Sequence, residues 1–294
     1  MSPRVTTSQL MEHVQKLGEE HPPLRLESAD RTIRHPDLVR KRFTGVLNFL
    51  ARVELEVDRN VLELLTIMPN PREVDRVFYA DVWSHQEMAH GYLLDQLQGD
   101  LGITPEEPYM TIPLRIRLLG ALAHWEPIQQ VSRLLYYLTG AATERQAVLA
   151  YSKLSAALLE MGETPTAETV IQPIKRQEPG HFAFYRMSAT QMIQDMELAP
   201  WQLFLARLLR TTNFTLVGVD YVKKYQRDLG GVLVGLGMDQ ELEIYAREMG
   251  RAEAQLLWAH RKGMKFPPYF LKALRESVEM YRGQGNFDRP GSGT

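Results

Sequence analysis

Apolar residues recur at helical spacing along most of the chain, and strand-type alternation of polar and apolar residues is scarce. One stripe consists of Leu47, Leu50, Val57, Val61, Leu64 and Met68, and Pro69-Asn70-Pro71 ends it. The pattern predicts an all-α protein with long helices joined by short loops. The predicted helices lie at about 37–68, 72–97, 112–124, 127–161, 167–196, 201–211, 213–236 and 239–261, with a short one after Pro267-Pro268.

Both ends of the chain differ in composition from the helical part. Residues 1–36 are polar and contain prolines, which predicts an N-terminal arm with one short helix near residues 8–17. Residues 283–294 are rich in glycine and polar residues, which predicts a disordered tail. A single helical domain is expected between them, at residues 37–282.

Composition narrows the classes of function. The chain has 294 residues, a formal net charge of -2 and no basic block, which argues against a nucleic-acid partner. No apolar run reaches the length of a membrane span, and the segment MSPRVTTSQL lacks the apolar core of a signal peptide, so we expect a cytoplasmic protein. Cysteine is absent, which excludes thiolate metal sites and iron–sulfur clusters carried on this chain.

Two segments have the form Glu-x-x-His, which places two metal-binding side chains on one face of a helix. They are Glu87-Met-Ala-His90 and Glu178-Pro-Gly-His181. Chance alone can produce two such pairs, and a single pair is usually a surface feature. Each pair, however, lies in the middle of a long predicted helix, and each of these helices follows another with a glutamate on its apolar stripe.

The two additional glutamates are Glu54 and Glu144. A carboxylate on an apolar stripe is costly to bury unless it is paired or binds a metal ion. Glu56 competes with Glu54, but its neighbours at helical spacing include Arg52, Arg59 and Glu63, which predicts that Glu56 faces solvent. The sequence leaves open which of these two glutamates is the ligand. Glu144 is aligned with Leu134, Tyr137, Ala141, Val148 and Tyr151.

The chain order is therefore Glu, Glu-x-x-His, Glu, Glu-x-x-His, which is the ligand set of carboxylate-bridged di-iron and di-manganese bundles. We expect two iron ions, with manganese or a mixed manganese–iron pair as alternatives. Four carboxylates neutralise two divalent ions, so the charges can be buried together. Glu87 and Glu178 are expected to bridge the metals, Glu54 and Glu144 to be terminal ligands, and His90 and His181 to bind one metal each.

Other residues near these motifs have less specific expectations. Tyr151 and Tyr185 lie at helical spacing from Glu144 and His181, which predicts core packing or contact with the ligands. His85, His124 and His260 fall outside the ligand pattern and are expected to be ordinary structural or surface histidines.

The segment from Trp83 to Leu97, WSHQEMAHGYLLDQL, resembles the second-helix signature of the soluble acyl-carrier-protein desaturases, which belong to the ferritin-like di-iron carboxylate superfamily. Thr143-Glu144-Arg145-Gln146 is similar to that family's Gln-Glu-Arg-Ala segment. The segment 229–237, LGGVLVGLG, resembles a later helix end of the family. The resemblance covers about residues 40–265 and is strongest at the first Glu-x-x-His.

This resemblance implies a ferritin-like helical bundle with additional C-terminal helices, assembled as a homodimer. It implies an oxidoreductase whose reduced di-iron centre activates dioxygen and removes two hydrogens from an acyl chain. The chain would lie in a buried apolar channel while its carrier protein docks outside, and a separate donor such as ferredoxin would supply electrons. Hydroxylation is an alternative outcome.

Two other activities remain open at this point. An N-oxygenase acting on an amine is the nearest rival, but Ile174 occupies the position where such enzymes carry an additional histidine. A ferroxidase or iron-binding protein would leave the long segment after the last ligand helix unexplained.

Three departures from the family pattern indicate a divergent member. Ala147 stands where the family commonly has threonine, and Gln177 stands where it commonly has an aspartate that orients a ligating histidine. Pro179 lies inside the last motif, which predicts a kink or a π-bulge beside the metals. Trp83 and Gln177 are expected to support the ligands from outside the coordination sphere.

Overall fold

The computed structural model describes residues 4–195, 198–219 and 222–284, and every regular element within these ranges is helical. The predicted all-α class is thus confirmed. The α-helices are α1 (Thr7–Glu20), α2 (Pro36–Glu54), α3 (Val57–Ile67), α4 (Glu73–Val77), α5 (Ser84–Asp100), α6 (Leu114–Leu122), α7 (Glu126–Glu160), α8 (Thr164–Thr166), α9 (Gln172–Gln194), α10 (Pro200–Asn213), α11 (Lys223–Gly235), α12 (Leu242–Leu256) and α13 (Pro268–Gln284).

Four short helical segments complete this set. The π-helical segment Phe78–Trp83 joins α4 to α5, and a second, Ala167–Ile171, joins α8 to α9. Short 3-10 turns lie at Leu26–Ser28 and Met238–Gln240. None of the described helices is long and apolar enough to cross a membrane.

The long helices α2, α5, α7 and α9 form the centre of the bundle, with α5 packed on α2 and α9 packed on α7. Helix α11 lies against α2 and α13, while α12 lies against α7. Two apolar clusters fill the interior at opposite ends of these helices. Phe43, Leu93 and Tyr151 belong to one cluster, and Phe78 and Phe184 belong to the other. The carboxylates of the two motifs lie between the clusters.

The N-terminal arm contains the predicted short helix, which spans Thr7–Glu20. The Thr6 hydroxyl accepts the backbone N–H of Gln9, and the Gln9 side chain accepts the N–H of Thr6, which satisfies two helix-end donors. Leu10, Val14 and Leu17 are buried against α9 and the segment Phe78–Trp83. The arm is therefore packed onto the bundle.

The predicted single helix at 37–68 is wrong, because the chain turns at Leu55 and Glu56 between α2 and α3. At this turn the N–H of Glu56 bonds to the carbonyl of Val53, three residues back, and the α-helical register is lost. Glu56 is buried at this turn and reaches arginines on both helices.

The predicted helix at 213–236 begins only at Lys223. Residues 214–216 are irregular and 217–219 form a turn, in which Gly218 adopts a φ of +78° that favours glycine. Arg52 Nη2 donates to the carbonyl of Gly218 at 2.6 Å, which attaches this turn to α2. A tertiary contact therefore takes the place of the first helical turns.

The predicted disordered tail at 283–294 begins too early, since residues 283 and 284 belong to the last turn of α13. The rest of the predicted tail, residues 285–294, lies outside the part of the chain that the structure describes.

Candidate metal centre

Each Glu-x-x-His motif follows a π-helical segment in the same continuous helical run. Glu87 comes four residues after Phe78–Trp83, and Glu178 comes seven residues after Ala167–Ile171. A π-helical turn holds one residue more than an α-helical turn, so it rotates the faces that the following residues present. Pro179 lies within the α-helical part of α9, so the π-helical segment is two turns earlier than the predicted bulge.

The structure brings all six predicted ligands together in the interior. The ligand atoms of Glu54, Glu87, His90 and Glu178 lie within 4.8 Å of one another. The same holds for a second group, formed by Glu87, Glu144, Glu178 and His181. Glu87 and Glu178 belong to both groups, as expected for bridging carboxylates.

The distances show how the shared carboxylates divide their oxygens. Glu178 places Oε1 3.4 Å from His90 Nδ1 and Oε2 3.6 Å from His181 Nδ1. Glu87 places Oε2 4.0 Å from His90 Nδ1 and Oε1 2.9 Å from His181 Nδ1. Glu54 Oε2 lies 3.7 Å from His90 Nδ1, and Glu144 Oε2 lies 3.7 Å from His181 Nδ1. Each histidine therefore faces three carboxylates.

The atoms that face the centre lack ordinary hydrogen-bond partners within the described residues. They are Glu87 Oε1, both carboxylate oxygens of Glu178, and Nδ1 of His90 and His181. The 2.9 Å approach of Glu87 to His181 does not have hydrogen-bond geometry. Buried polar atoms are normally satisfied, so this arrangement fits metal ions in both groups. A donor set of carboxylates and imidazoles suits iron, manganese or zinc.

The pKa values of Glu54 and Glu87 are shifted in opposite directions. Burial alone would raise the pKa of Glu54, but contacts with Glu87, His90 and Tyr151 outweigh it and lower the pKa to about 2. Burial, followed by the charges of Glu54 and Glu178, raises the pKa of Glu87 well above its ordinary value. Without metal ions the centre therefore holds protons, because carboxylates this close cannot all be ionised.

Two glutamines hold the histidines from behind, each reaching across to the opposite motif. Gln177 Oε1 lies 2.6 Å from His90 Nε2, and Gln86 Oε1 lies 2.5 Å from His181 Nε2. Both glutamine amides donate to the backbone carbonyl of His21, and Gln177 also donates to that of Pro22. Since the amide nitrogens face carbonyls, the amide oxygens accept Nε2–H, and each Nδ1 remains available to a metal.

Gln177 was predicted from the sequence to support a ligand, whereas Gln86 was missed. The signal was present, because a glutamine precedes the glutamate in both motifs, giving Gln-Glu-x-x-His twice. The role of His21 could not be predicted from the sequence, since it acts through its backbone carbonyl in the N-terminal arm.

The remaining residues expected around the ligands have different roles. The Tyr151 hydroxyl donates to Glu54 and so contacts a ligand directly. Tyr185 packs against the rings of Phe78 and Phe184, which is core packing. Trp83 is buried and lines the cavities beside the centre. His85, His124 and His260, which the sequence placed outside the ligand pattern, are exposed and belong to neither ligand group.

The expectation that Glu56 faces solvent is wrong. Its side chain is buried and forms ion pairs with Arg52 at 2.5 Å and with Arg59 at 2.8 Å. It also accepts the backbone N–H of Tyr109. The arginines at helical spacing mark a buried ion pair and not a solvent face, because α2 and α3 turn around Glu56. Glu54, and not Glu56, points to the centre.

Two cavities adjoin the centre. The smaller cavity, of about 70 Å³, has mainly apolar walls that include Phe49, Val53, Ala147 and Ala150. The larger, of about 370 Å³, lies between α3, α6, α7 and α10. The two share a set of lining residues next to the metal-binding groups, namely Asn60, Trp83, Thr143, Glu144 and Val217.

Comparison of the chain with family models, curated proteins and solved structures gives no match. Its class therefore comes from its own geometry. In the part of the chain that the structure describes, every regular element is helical, and a buried carboxylate–histidine centre could hold a metal ion.

Proposed function

We propose that this protein is an oxygen-dependent di-iron oxidoreductase of the ferritin-like, acyl-carrier-protein-desaturase-like kind. Its substrate is an acyl chain or another largely apolar molecule, and its reaction is desaturation or hydroxylation. The supporting observation is the pair of ligand groups that share Glu87 and Glu178. Sharing of two carboxylates is what a dinuclear site needs and what a single-metal site does not.

The residues that would hold two iron ions are Glu54, Glu87, His90, Glu144, Glu178 and His181. When bound there, a reduced iron pair supplies the dioxygen activation that no side chain can provide. Manganese, alone or with iron, suits the same oxygen and nitrogen donors.

The chain's own residues bind, orient and exclude water. Gln86 and Gln177 fix the histidine rings, and Tyr151 holds Glu54 through its hydroxyl. The apolar walls of the smaller cavity, which include Phe49 and Val53, exclude water from an apolar substrate beside Glu144. Electrons come from a separate donor such as ferredoxin, because this chain has no cysteine to carry an iron–sulfur cluster. We expect a homodimer, as the resemblance implies.

The cavities favour an enzyme with an organic substrate over an iron-storage protein, since storage needs no enclosed apolar space. An amine N-oxygenase is not favoured by Ile174, which is fully buried and apolar at the position where a further histidine ligand is expected.

The test is the metal content of protein expressed with supplementary iron, measured by mass spectrometry. We expect about two iron ions per wild-type chain, because the two groups form one dinuclear site. Glu54→Ala is expected to lose metal. Glu56→Ala is the matched control, since it removes a buried carboxylate two residues away that belongs to neither ligand group.

Glu56→Ala is expected to unfold at a lower temperature yet to keep its iron, because it removes a buried carboxylate that forms ion pairs with both Arg52 and Arg59. Wild-type protein that stays metal-free after anaerobic ferrous loading contradicts the proposal. If iron binds, oxygen consumption with acyl-carrier-protein thioesters, free fatty acids and an aryl amine then separates the candidate reactions.

A further inference from the structure

Two neighbouring helices turn an apolar face outward. On α6 the exposed residues include Leu114, Leu118 and Leu122, and on α10 they include Trp201, Phe204 and Leu208. Leu118 is 59% exposed and Phe204 is 65% exposed. Trp125, which follows α6, stacks on Trp201 with ring centroids 5.9 Å apart and joins the two helices. These seven residues are called the apolar face: Leu114, Leu118, Leu122, Trp125, Trp201, Phe204 and Leu208.

The helices that carry the apolar face are cationic. Arg115 and Arg117 belong to α6, Arg207 and Arg210 belong to α10, and neither helix contains an aspartate or a glutamate. Arg210 is paired with Glu253. Burial, followed by the positive charge of Arg261, lowers the pKa of Arg207. Outward leucines and aromatics on arginine-bearing helices are typical of helices that lie on membranes.

The larger cavity opens between the same two helices. Its lining includes Ile116 and Leu119 of α6 and Leu209 and Asn213 of α10, all of them at least partly exposed. The cavity then reaches Glu144 and Trp83 beside the ligand groups. If another surface covers the apolar face, a molecule that leaves this surface can enter the cavity and approach the centre without crossing bulk water.

We propose that the apolar face docks onto an anionic lipid bilayer and that an apolar substrate enters the larger cavity from it. The docking stands independently of the metal centre, whereas the entry of substrate rests on the proposed function. A second copy of the chain fits this face less well. A two-fold contact would bring Arg117 and Arg207 near their own copies and would cover the mouth of the cavity.

Flotation with lipid vesicles tests the docking. The full-length protein is mixed with vesicles of phosphatidylcholine containing phosphatidylglycerol, and with vesicles of phosphatidylcholine alone. We expect flotation with the anionic vesicles and its weakening in high salt, because salt screens the arginines. The variant Leu118→Ser/Phe204→Ser is expected to partition at least about tenfold more weakly, since it removes two large apolar contacts.

The matched control is Leu38→Ser/Ile244→Ser, which removes two exposed apolar residues from α2 and α12, away from the apolar face. This control is expected to float like wild type. All four substitutions are at exposed positions, and circular dichroism checks that each variant is folded.

Three results overturn the docking: no flotation of wild type, equal flotation of both double variants, or equal binding to neutral and anionic vesicles. A dimer that light scattering detects in the absence of flotation, and that Leu118→Ser/Phe204→Ser dissociates, assigns the face to a second copy. The metal-site variant Glu87→Ala/Glu178→Ala is expected to float like wild type. Loss of metal binding and loss of docking are therefore separately visible.

Discussion

Individual side chains in this protein act across helices. Gln86 supports His181, Gln177 supports His90, and both glutamines are anchored at His21. Each histidine thus depends on a residue one position before the glutamate of the opposite motif. An imidazole whose outer nitrogen is held in this way presents its other nitrogen in a fixed direction, which favours metal binding.

Replacement of either glutamine is predicted to weaken metal binding. Gln86→Leu or Gln177→Leu is expected to raise the cobalt dissociation constant about 10- to 100-fold, because the ring loses the acceptor that orients it. Titration with cobalt, followed by the visible absorption of the bound ion, measures both the affinity and the geometry of the ligands. A substitution that only lowered the stability of the fold would leave the absorption spectrum of the bound ion unchanged.

Gln98→Leu is the control for this experiment. Gln98 is buried on the same helix as Gln86, and its side-chain amide has no hydrogen bond within the described residues. We expect unchanged cobalt affinity and spectrum in this variant. Equal affinities in all three variants would show that the glutamines do not orient the histidines.

At the scale of elements, close packing of helices depends on glycine at specific points. A Cβ atom on Gly230 of α11 would lie 2.0 Å from the carbonyl oxygen of Ser277 on α13. Backbone cannot yield as a flexible side chain can, so α11 and α13 touch only because position 230 lacks a side chain. Gly45 is also within a helix, α2, but a Cβ atom there meets no atom within 4 Å.

The two glycines are therefore predicted to respond oppositely to alanine. Gly230→Ala is expected to destabilise the protein by about 1–3 kcal/mol or more, because α11 must move away from α13. Gly45→Ala is expected to stabilise it by about 0.5–1 kcal/mol, because alanine is the better helix former. Urea denaturation measures both, and similar changes in the two variants would contradict the packing argument.

A second element-scale contact ties the segment before α2 to the turn between α7 and α8. The buried carboxylate of Glu163 accepts the backbone N–H groups of Arg34 and His35 at 2.6 and 2.8 Å. His35 Nδ1 lies 2.9 Å from the same carboxylate. Burial opposes ionisation of Glu163, but these contacts outweigh it and lower the pKa below 4.5.

Because the pKa of Glu163 is lower in the folded state, its stabilisation is present above pH 4.5 and is lost as the pH falls through the folded-state value. Glu163→Gln is predicted to lower the free energy of unfolding by about 1–3 kcal/mol at neutral pH, since the charged acceptor is lost. The difference from wild type should shrink in acid. Glu160→Gln, at an exposed neighbouring position, should follow wild type at every pH, and a pH-independent deficit in Glu163→Gln would refute the linkage.

At the scale of the whole molecule, the candidate centre interrupts the core. It separates two apolar clusters and brings four carboxylates into an interior from which water is largely excluded. Such a concentration of charge opposes folding unless cations or protons compensate it. Metal ions that bind only the folded state would therefore stabilise the entire bundle.

Metal loading is predicted to raise the thermal unfolding midpoint, and chelation is predicted to reverse the change. Ligand at about 100 times its dissociation constant contributes about 2.7 kcal/mol to folding. The variant Glu54→Ala should show little increase, whereas Glu56→Ala should start from a lower midpoint and still gain. Anaerobic calorimetry measures these shifts, and an equal gain in Glu54→Ala and wild type would place the bound ion elsewhere.

The sequence by itself determined the helical class and brought out six candidate ligands, because helical periodicity and Glu-x-x-His spacing are local properties. Their role as metal ligands remains a prediction. Only the tertiary structure decided between Glu54 and Glu56, since the outcome depends on a turn between α2 and α3 and on two arginines that bury with Glu56. The non-helical segment 214–219 and the contact of Gln86 with the His21 carbonyl likewise could not be predicted from the sequence. Both depend on contacts between residues far apart in the chain, and no local pattern encodes which partner a backbone carbonyl or a buried charge will meet.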